Sequence, residues 1–481
     1  MNLVLLQGGS LLSEDGRAAR TADVLLRDGR IEAVGAIAAP PDAQRIAADG
    51  CLVLPGLRNG HTHAHGALAR GAVPDRISLE GFLAHAPALT GQRTVDDVRL
   101  SATLGAVELA RRGCTACIDM AGELPLPSVE GILAVGQAYA DVGLRAVVAP
   151  MVSDRTLYQA YPALTASLPP ALRAQAEAFT PPGAEALLAV LREAQQRWPF
   201  DREQVQLGVG PAIPLHCSDA LLAGCARLAG EFGVPLQTHL LESRLQSLAQ
   251  AGGESTVRRL ERLGCLTPRT SLAHGVWLDD DDLARIAASG ATLVHNPASN
   301  LRLGSGIARL RAWLDAGARV ALGSDASNTS DGQNLFEATR LASYLSRVAT
   351  PDWQRWIDAP QAFALATGGA RVQPGERADL VLLDLAQPHY VPLRHPLRQL
   401  VFGESGAGVR RVLVGGRTVF AEGRVTGIDE AALRLRAQER ALALDAACAP
   451  AADWARSALP TLAAFCCGMQ PAAFPREPAA P

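Results

Sequence analysis

Pro55-Gly56-Leu57-Arg58-Asn59-Gly60-His61-Thr62-His63 follows an apolar run, Cys51-Leu52-Val53-Leu54, and its reading decides the fold. On an extended strand, residues i and i+2 point to one face. His61 and His63 can therefore offer both imidazoles to one metal ion. Two histidines one residue apart are also an ordinary surface pair, and what separates the readings lies downstream. A single histidine follows an apolar stretch at His239, another at His274, and an aspartate does so at Asp325. Each stands at the carboxyl end of a predicted strand.

Working outward, eight apolar stretches read as strands: 57–63, 115–120, 145–151, 205–212, 235–240, 270–276, 291–297 and 319–326. Helical patterns fall between most of them. Asp96 to Arg112 is periodic and stops near Gly113. Cys217 to Phe232 opens on Ser218-Asp219 as a cap and stops at Gly233. Asp280 to Ala288 stops at Gly290, and Ile307 to Ala316 at Gly317. Alternating strands and helices over 56–374 predict an α/β fold, a (β/α)8 barrel. An open doubly wound sheet would want a Gly-rich phosphate loop after its first strand, where this chain has His-Thr-His. Residues 64–95, with Pro and Gly, and 152–181, with Pro, are expected as loops over the barrel mouth. Residues 1–55 and 375–425 are β-patterned, with Asp28-Gly29 as a hairpin turn, and predict a small β-sandwich domain built from both terminal segments. For 426–481 the expectation is a helix over 428–447 and a poorly ordered tail.

The composition places limits on function. The chain has 481 residues, 48% hydrophobic and 19% charged, with a net charge of −3. No basic patch stands out, which argues against nucleic acid and acidic membranes as partners. No uninterrupted apolar run reaches the ~20 residues of a membrane span. The first residues carry no basic, then apolar, leader pattern. Nine cysteines, an odd and scattered number, point to reduced thiols and a cytoplasmic location. Cys114-x-x-Cys117 overlaps a strand and reads as core packing. Cys466-Cys467 reads as incidental thiols, with metal binding or a disulfide as the alternatives. The basic residues are all arginine; the chain has no lysine.

In (β/α)8 barrels the active site lies at the carboxyl ends of the strands. His61 and His63 end strand one, His239 strand five, His274 strand six and Asp325 strand eight, so distant positions collapse to one rim. Three imidazoles and a carboxylate suit a borderline divalent ion, Zn²⁺ before Fe²⁺. Glu242, three residues after His239, is placed to act as an acid/base beside the metal. Taken singly, His274 also reads as a core histidine and Asp325 as a helix cap.

These motifs resemble those of the amidohydrolase superfamily, in the branch that contains cytosine deaminase, S-adenosylhomocysteine deaminase, guanine deaminase and the triazine hydrolases. PGLRNGHTHAHGALARG from Pro55, ELARRGCTACIDM from Glu108 and GVPLQTHLLES from Gly233 carry the resemblance. So do AHGVWL from Ala273, GATLVHNPASNLRLGSG from Gly290, ALGSDASNTSDGQNLFEATRLA from Ala321 and GERADLVLLDL from Gly375. The resemblance implies that His61, His63, His239 and Asp325 bind one divalent ion, and that Glu242, His274 and Asp325 act in catalysis. A lysine-bridged binuclear site, as in other branches, is excluded because there is no lysine to modify. The cytidine-deaminase type of zinc site is absent as well.

The implied reaction is hydrolytic deamination of a nitrogen heterocycle: a purine, pterin, pyrimidine or triazine. The metal would bring the pKa of its water from 15.7 toward ~7. Asp325 would take the water proton, Glu242 would protonate a ring nitrogen, and His274 would hydrogen-bond the attacking oxygen. The alternatives on the same site are displacement of chloride or an alkylamine from a triazine-like ring, or opening of a cyclic amide. A catalytically dead scaffold is the reading from another class. Departures limit the substrate. Relatives' His-Ala-Pro-Tyr-like segment is here Pro211-Ala212-Ile213-Pro214-Leu215-His216, and position 237 is Gln where relatives often have His. His65, His216, His295, Asn296 and Ser327 are the candidate substrate contacts, with Asn300, Asn328 and Asp331 nearby. The expected partner is a small heterocycle, and a homo-oligomer is left open.

Overall fold

The computed structural model describes residues 3–250 and 253–469. The two ends of the chain build one mixed sheet. Strands Leu3–Leu12, Ala19–Arg27, Arg30–Gly35, Gln44–Ala47 and Cys51–Pro55 join Leu380–Asp384, Val409–Val414, Arg417–Ala421 and Arg424–Val425 in a nine-stranded sheet. The seam is the antiparallel pairing of Cys51–Pro55 with Leu380–Asp384. The period-2 alternation sorts its side chains between two cores. Cys51, Val53, Leu380 and Leu382 face a core inside the small sheet, whereas Leu52, Leu54, Val381 and Leu383 face the main core. Asp28 and Gly29 both take positive φ, 48° and 81°, as a tight turn between antiparallel strands requires.

The central part alternates strand and helix. Its strands are β1 (Leu57–His63), β2 (Cys114–Asp119), β3 (Arg145–Val148), β4 (Val205–Leu207), β5 (Leu236–Leu240), β6 (Thr270–His274), β7 (Thr292–His295) and β8 (Arg319–Leu322). All neighbouring pairs are parallel: β1–β2, β2–β3, β3–β4, β5–β6, β6–β7 and β7–β8. Two smaller pairings link these runs. Val209 bridges to Leu236 of β5, and Asp325–Ala326, just beyond β8, pairs with Thr62–His63. β4 is shorter than the expected 205–212, because the chain breaks before Gly210–Pro211 pairs with Met151–Val152.

The helices begin and end where the caps predict. Thr94 and Asp97 form a reciprocal capping box at the start of Val95–Arg111. Ser218 and Asp279 cap Asp219–Phe232 and Asp280–Ser289, which stop at left-handed Gly233 and Gly290.

Two expectations fail. The stretches 64–95 and 152–181 are not plain loops. They hold a 3₁₀ turn, Ala64–Ala69, and short helices Leu79–Ala84, Ala86–Thr90, Leu157–Ala160, Pro162–Ser167 and Pro170–Ala178. Three of the prolines that read as loop markers, Pro87, Pro162 and Pro170, occupy first-turn positions, where their missing N–H costs nothing. The tail is not disordered through its first part either. Glu430–Ala447 is followed by a second helix, Ala449–Met469. Alanine has the highest helix propensity, and Ala458, Leu462 and Cys466, at i, i+4 and i+8, bury one stripe against Ala84, Tyr161, Leu164 and Leu168. The rest of the tail lies outside the described residues. All nine cysteines are free thiols, Cys114 and Cys117 buried in the main core and Cys467 exposed. Among the described residues no helix is long and apolar enough to cross a membrane.

Candidate active site

β1 and β8 end side by side, so His61, His63 and Asp325 meet through backbone pairing. Asn59 stitches the junction. Its Oδ1 accepts from the backbone N–H groups of Ser324 and His61, and its Nδ2 donates to Ser324 Oγ. Gly323 is required here: a Cβ would stand 2.2 Å from Asn296 Oδ1 and 2.9 Å from the His61 carbonyl. β5 brings His239 to the same rim and β6 brings His274. His274 and Asp325 both sit at positive φ, 74° and 60°. Such backbone costs a non-glycine residue about 1 kcal/mol or more and persists where the surrounding structure enforces it.

The donor atoms converge. Asp325 Oδ1 is 3.3 Å from His61 Nε2 and 3.1 Å from His63 Nε2. His63 Nε2 and His239 Nε2 are 3.1 Å apart. Glu242 Oε2 is 3.5 Å from His274 Nε2, which is 4.0 Å from Asp325 Oδ2. His61, His63, His239, Glu242, His274 and Asp325 are all buried.

The second ring nitrogens settle the tautomers. His63 Nδ1 donates to the Met120 carbonyl at 2.7 Å and His239 Nδ1 to the Ala212 carbonyl at 2.6 Å. His61 Nδ1 donates to Gln237 Oε1 at 2.9 Å, and that amide is oriented by donating its own Nε2 to Gly60 O and Ser271 Oγ. His274 Nδ1 faces Asn300 Oδ1 at 2.8 Å. Every Nε2 therefore points inward. His63 Nε2 and His239 Nε2 crowd together at 3.1 Å, and His61 Nε2, His274 Nε2 and Glu242 Oε1 are buried without a hydrogen-bond partner. A cation relieves both defects. Donors about 2.05 Å from a tetrahedral zinc stand about 3.3 Å apart, close to the spacing here. Three overlapping trios have metal-binding spacing: His61–His63–Asp325, His61–His239–His274 and Glu242–His274–Asp325.

Burial and neighbouring charge set the protonation states. Burial lowers His61, brings His274 to about 4 and takes His239 well below the usual histidine range, so these rings are neutral at pH 7; burial would lower His63 too, but the Asp325 carboxylate and the Met120 carbonyl raise it. Burial would raise Asp325, but His61 and His63 hold its carboxylate well below the ordinary range. Ser299 Oγ and Thr329 Oγ1 donate to its Oδ2 at 2.5 and 3.2 Å. Glu242 goes the other way, pushed well up by burial and by the Asp325 charge. Two carboxyl groups in one pocket are thus pushed in opposite directions, Asp325 down and Glu242 up.

The proposed substrate contacts separate by position. His65 lies next to His63, ring centroids 5.1 Å apart, and accepts from the Gly122 N–H. His216 is buried against Tyr161 with its Nε2 unpartnered. His295 stacks edge-on against the core residue Trp313, in the wall behind the site. Asn296 and Ser327 are fully buried, and their side-chain polar atoms have no protein partner. Sequence reasoning missed Ser299, Thr329 and the Met120 and Ala212 carbonyls as supports. The two hydroxyls lie inside the quoted motifs, whereas a backbone carbonyl leaves no mark in a sequence.

The family model for the amidohydrolase family matches residues 52–419, and the chain belongs to that family. It is accordingly a hydrolase of carbon–nitrogen bonds. The chain is 32% identical over 460 residues to the 5-methylthioadenosine/S-adenosylhomocysteine deaminase of Syntrophobacter fumaroxidans, covering 90% of this chain and 97% of that one. It is 29% identical over 444 residues to the 5'-deoxyadenosine deaminase of Methanothermobacter thermautotrophicus, covering 89% and 95%. Its fold resembles the zinc-bound adenosine deaminase of Xanthomonas campestris, with a TM-score of 0.77 at 24% identity over 92% of this chain and 98% of that one.

Proposed function

We propose that the protein is a metal-dependent aminohydrolase that replaces the amino group of a nitrogen heterocycle with hydroxyl. The observation that carries this reading is the convergence of His61, His63, His239 and Asp325 on one point, with Glu242 Oε2 3.5 Å from His274 Nε2 beside it. His61, His63, His239 and Asp325 would hold one divalent ion, zinc before iron, and the inward-pointing ring nitrogens support that set. When bound, the ion activates water for attack at neutral pH. The two linking pairings, at Val209 and at Asp325, support a closed (β/α)8 barrel with a separate β-domain from both termini.

The chain's own residues do the proton work. Asp325 accepts a proton from the attacking water. Glu242 delivers its proton to the ring nitrogen beside the attacked carbon, which lets that carbon accept the new C–O bond. His274 Nε2, its Nδ1–H held by Asn300, accepts a hydrogen bond from the attacking oxygen. The C–N bond then breaks, the amine leaves as ammonia with the proton collected at Asp325, and the ring nitrogen returns its proton to Glu242. Water and the aminated ring are consumed; the hydroxylated ring and ammonia are produced.

The deaminase names of the relatives put aminopurines first among substrates, ahead of pterins, aminopyrimidines and aminotriazines. The test is ammonia release by metal-replete protein across those four ring classes. Release from one class, lost by about 10²–10⁴-fold in Glu242→Gln with metal content unchanged, is expected. Chloride or alkylamine release in place of ammonia would replace this reading with triazine-type displacement.

A further inference from the structure

Glu80 is a buried carboxylate, 2% exposed, on the short helix Leu79–Ala84 that follows β1. Among the described residues no arginine or histidine stands within ion-pair distance of it, an expensive arrangement for an acid unless its hydrogen bonds serve a purpose. Its two oxygens are used in different directions. Oε1 accepts from Ser243 Oγ at 2.5 Å, and Oε2 faces the Cys466 thiol at 3.7 Å, on the helix Ala449–Met469.

Ser243 directly follows Glu242. Its hydroxyl also caps the helix Arg244–Ala249 by accepting the Gln246 N–H at 3.3 Å. Gln246 returns its side-chain Oε1 to the Glu242 N–H at 2.8 Å. The turn so pinned is a tense one, since Leu241 before it lies at φ 43°. Nothing else in the described hydrogen-bond network holds the Glu242 backbone N–H, and its side-chain Oε1 has no partner. The Trp277 N–H also bonds the Leu241 carbonyl, and Ser305 and His274 face the Glu242 carboxyl, but the bonds that reach the Glu242 N–H run through Gln246 and Ser243 to Glu80 as outer anchor.

We propose that Glu80 is a positioning residue for Glu242, acting through Ser243 and Gln246, and that the C-terminal helix belongs to the same apparatus because it closes Glu80 away from water. The proposal deepens the aminohydrolase reading and rests on it for its kinetic part. Its geometric basis is the cluster in which Leu462 and Cys466 pack with Ala84, Tyr161, Leu164 and Leu245, joining the segments after β1, β3 and β5 under one helix.

The test compares Glu80→Leu, Glu80→Gln, Ser243→Ala and the double variant Glu80→Leu/Ser243→Ala in the metal-loaded full chain. Glu80→Leu removes the acceptor, whereas Glu80→Gln retains one. The expectation is a fall in kcat of about ten- to hundredfold for Glu80→Leu and for Ser243→Ala, with KM within about threefold. Glu80→Gln recovers kcat to within about threefold of the parent, and the double variant is no worse than the poorer single one. Unchanged kcat in Glu80→Leu, or losses that multiply in the double variant, would overturn the relay. Hydrogen exchange gives a readout that does not depend on the reaction. Amide protection at Glu242 and Gln246 should drop at least about tenfold in Glu80→Leu and be retained in Glu80→Gln. Absence of ammonia from the parent together with that loss of protection would sink the aminohydrolase reading and keep the relay; unaltered protection in Glu80→Leu would sink the relay whatever the reaction.

Discussion

Position 237 carries glutamine, and the site explains what the amide does. Gln237 Oε1 accepts the His61 Nδ1 proton while its Nε2 is spent on Gly60 O and Ser271 Oγ. The side chain therefore fixes the tautomer of one proposed metal ligand and cannot reach the ion with a second free group. Supports of this kind are worth about 10–100-fold in metal affinity. Gln237→Leu should weaken zinc by that factor in a competition titration against a chromophoric chelator, with the far-ultraviolet circular dichroism unchanged. Wild-type affinity in that variant would remove Gln237 from the site. The strained residues teach a related lesson. His274 and Asp325 occupy left-handed backbone that neither residue type prefers. Both are held there by neighbours: Gly275 N–H bonds the Leu240 carbonyl, and Asp325 pairs with Thr62.

At the scale of elements, the first long helix is anchored from outside its own sequence. Asp97 completes the Thr94 capping box and also receives Arg440 Nε at 2.7 Å and Nη2 at 3.0 Å from the helix Glu430–Ala447. Burial alone would raise the Asp97 carboxyl, but Arg440 and Thr94 bring it down to about 2. The folded state thus binds fewer protons here than the unfolded chain. The resulting stability is present above the ordinary carboxyl value of 3.8 and is lost as the pH falls toward 2. Arg440 is partly exposed, which limits the gain to about 1 kcal/mol. Urea unfolding of Arg440→Ala should show that deficit at pH 7 and a gap that closes between pH 4 and pH 2. A pH-independent deficit would mean that Arg440 acts by packing and not through its charge.

For the molecule as a whole, the proposed ion binds donors that converge only in the folded state. His61 and Asp325 lie far apart in sequence and 3.3 Å apart in space. Zinc that binds the native chain but not the unfolded one stabilises it by about 4 kcal/mol at a thousand times its Kd. Thermal unfolding should therefore move up by several degrees with zinc and back down with chelator, in step with the loss of turnover. A melting temperature indifferent to zinc would argue that the ring nitrogens face something other than a metal.

Residues 1–55 and 375–425 were legible as strands because alternation marks which side of a sheet each residue faces. The strand-end histidines were legible because parallel βα units place every carboxyl end on one rim. The absence of lysine excluded a bridged binuclear site by composition alone. The loops were misread for a local reason: proline in a first helical turn looks the same in sequence as proline in a loop, and only the burial of Tyr161, Leu164 and Leu168 under Ala449–Met469 distinguishes them. What the sequence determined is the set of donor atoms and the rim they share, since both follow from residue type and strand period. What only the tertiary structure decided is which ring nitrogens face inward and which acid its surroundings push up. Those depend on the carbonyls of Met120 and Ala212, the amide of Gln237 and the burial of Glu242, contributed by segments that meet only when the chain has folded.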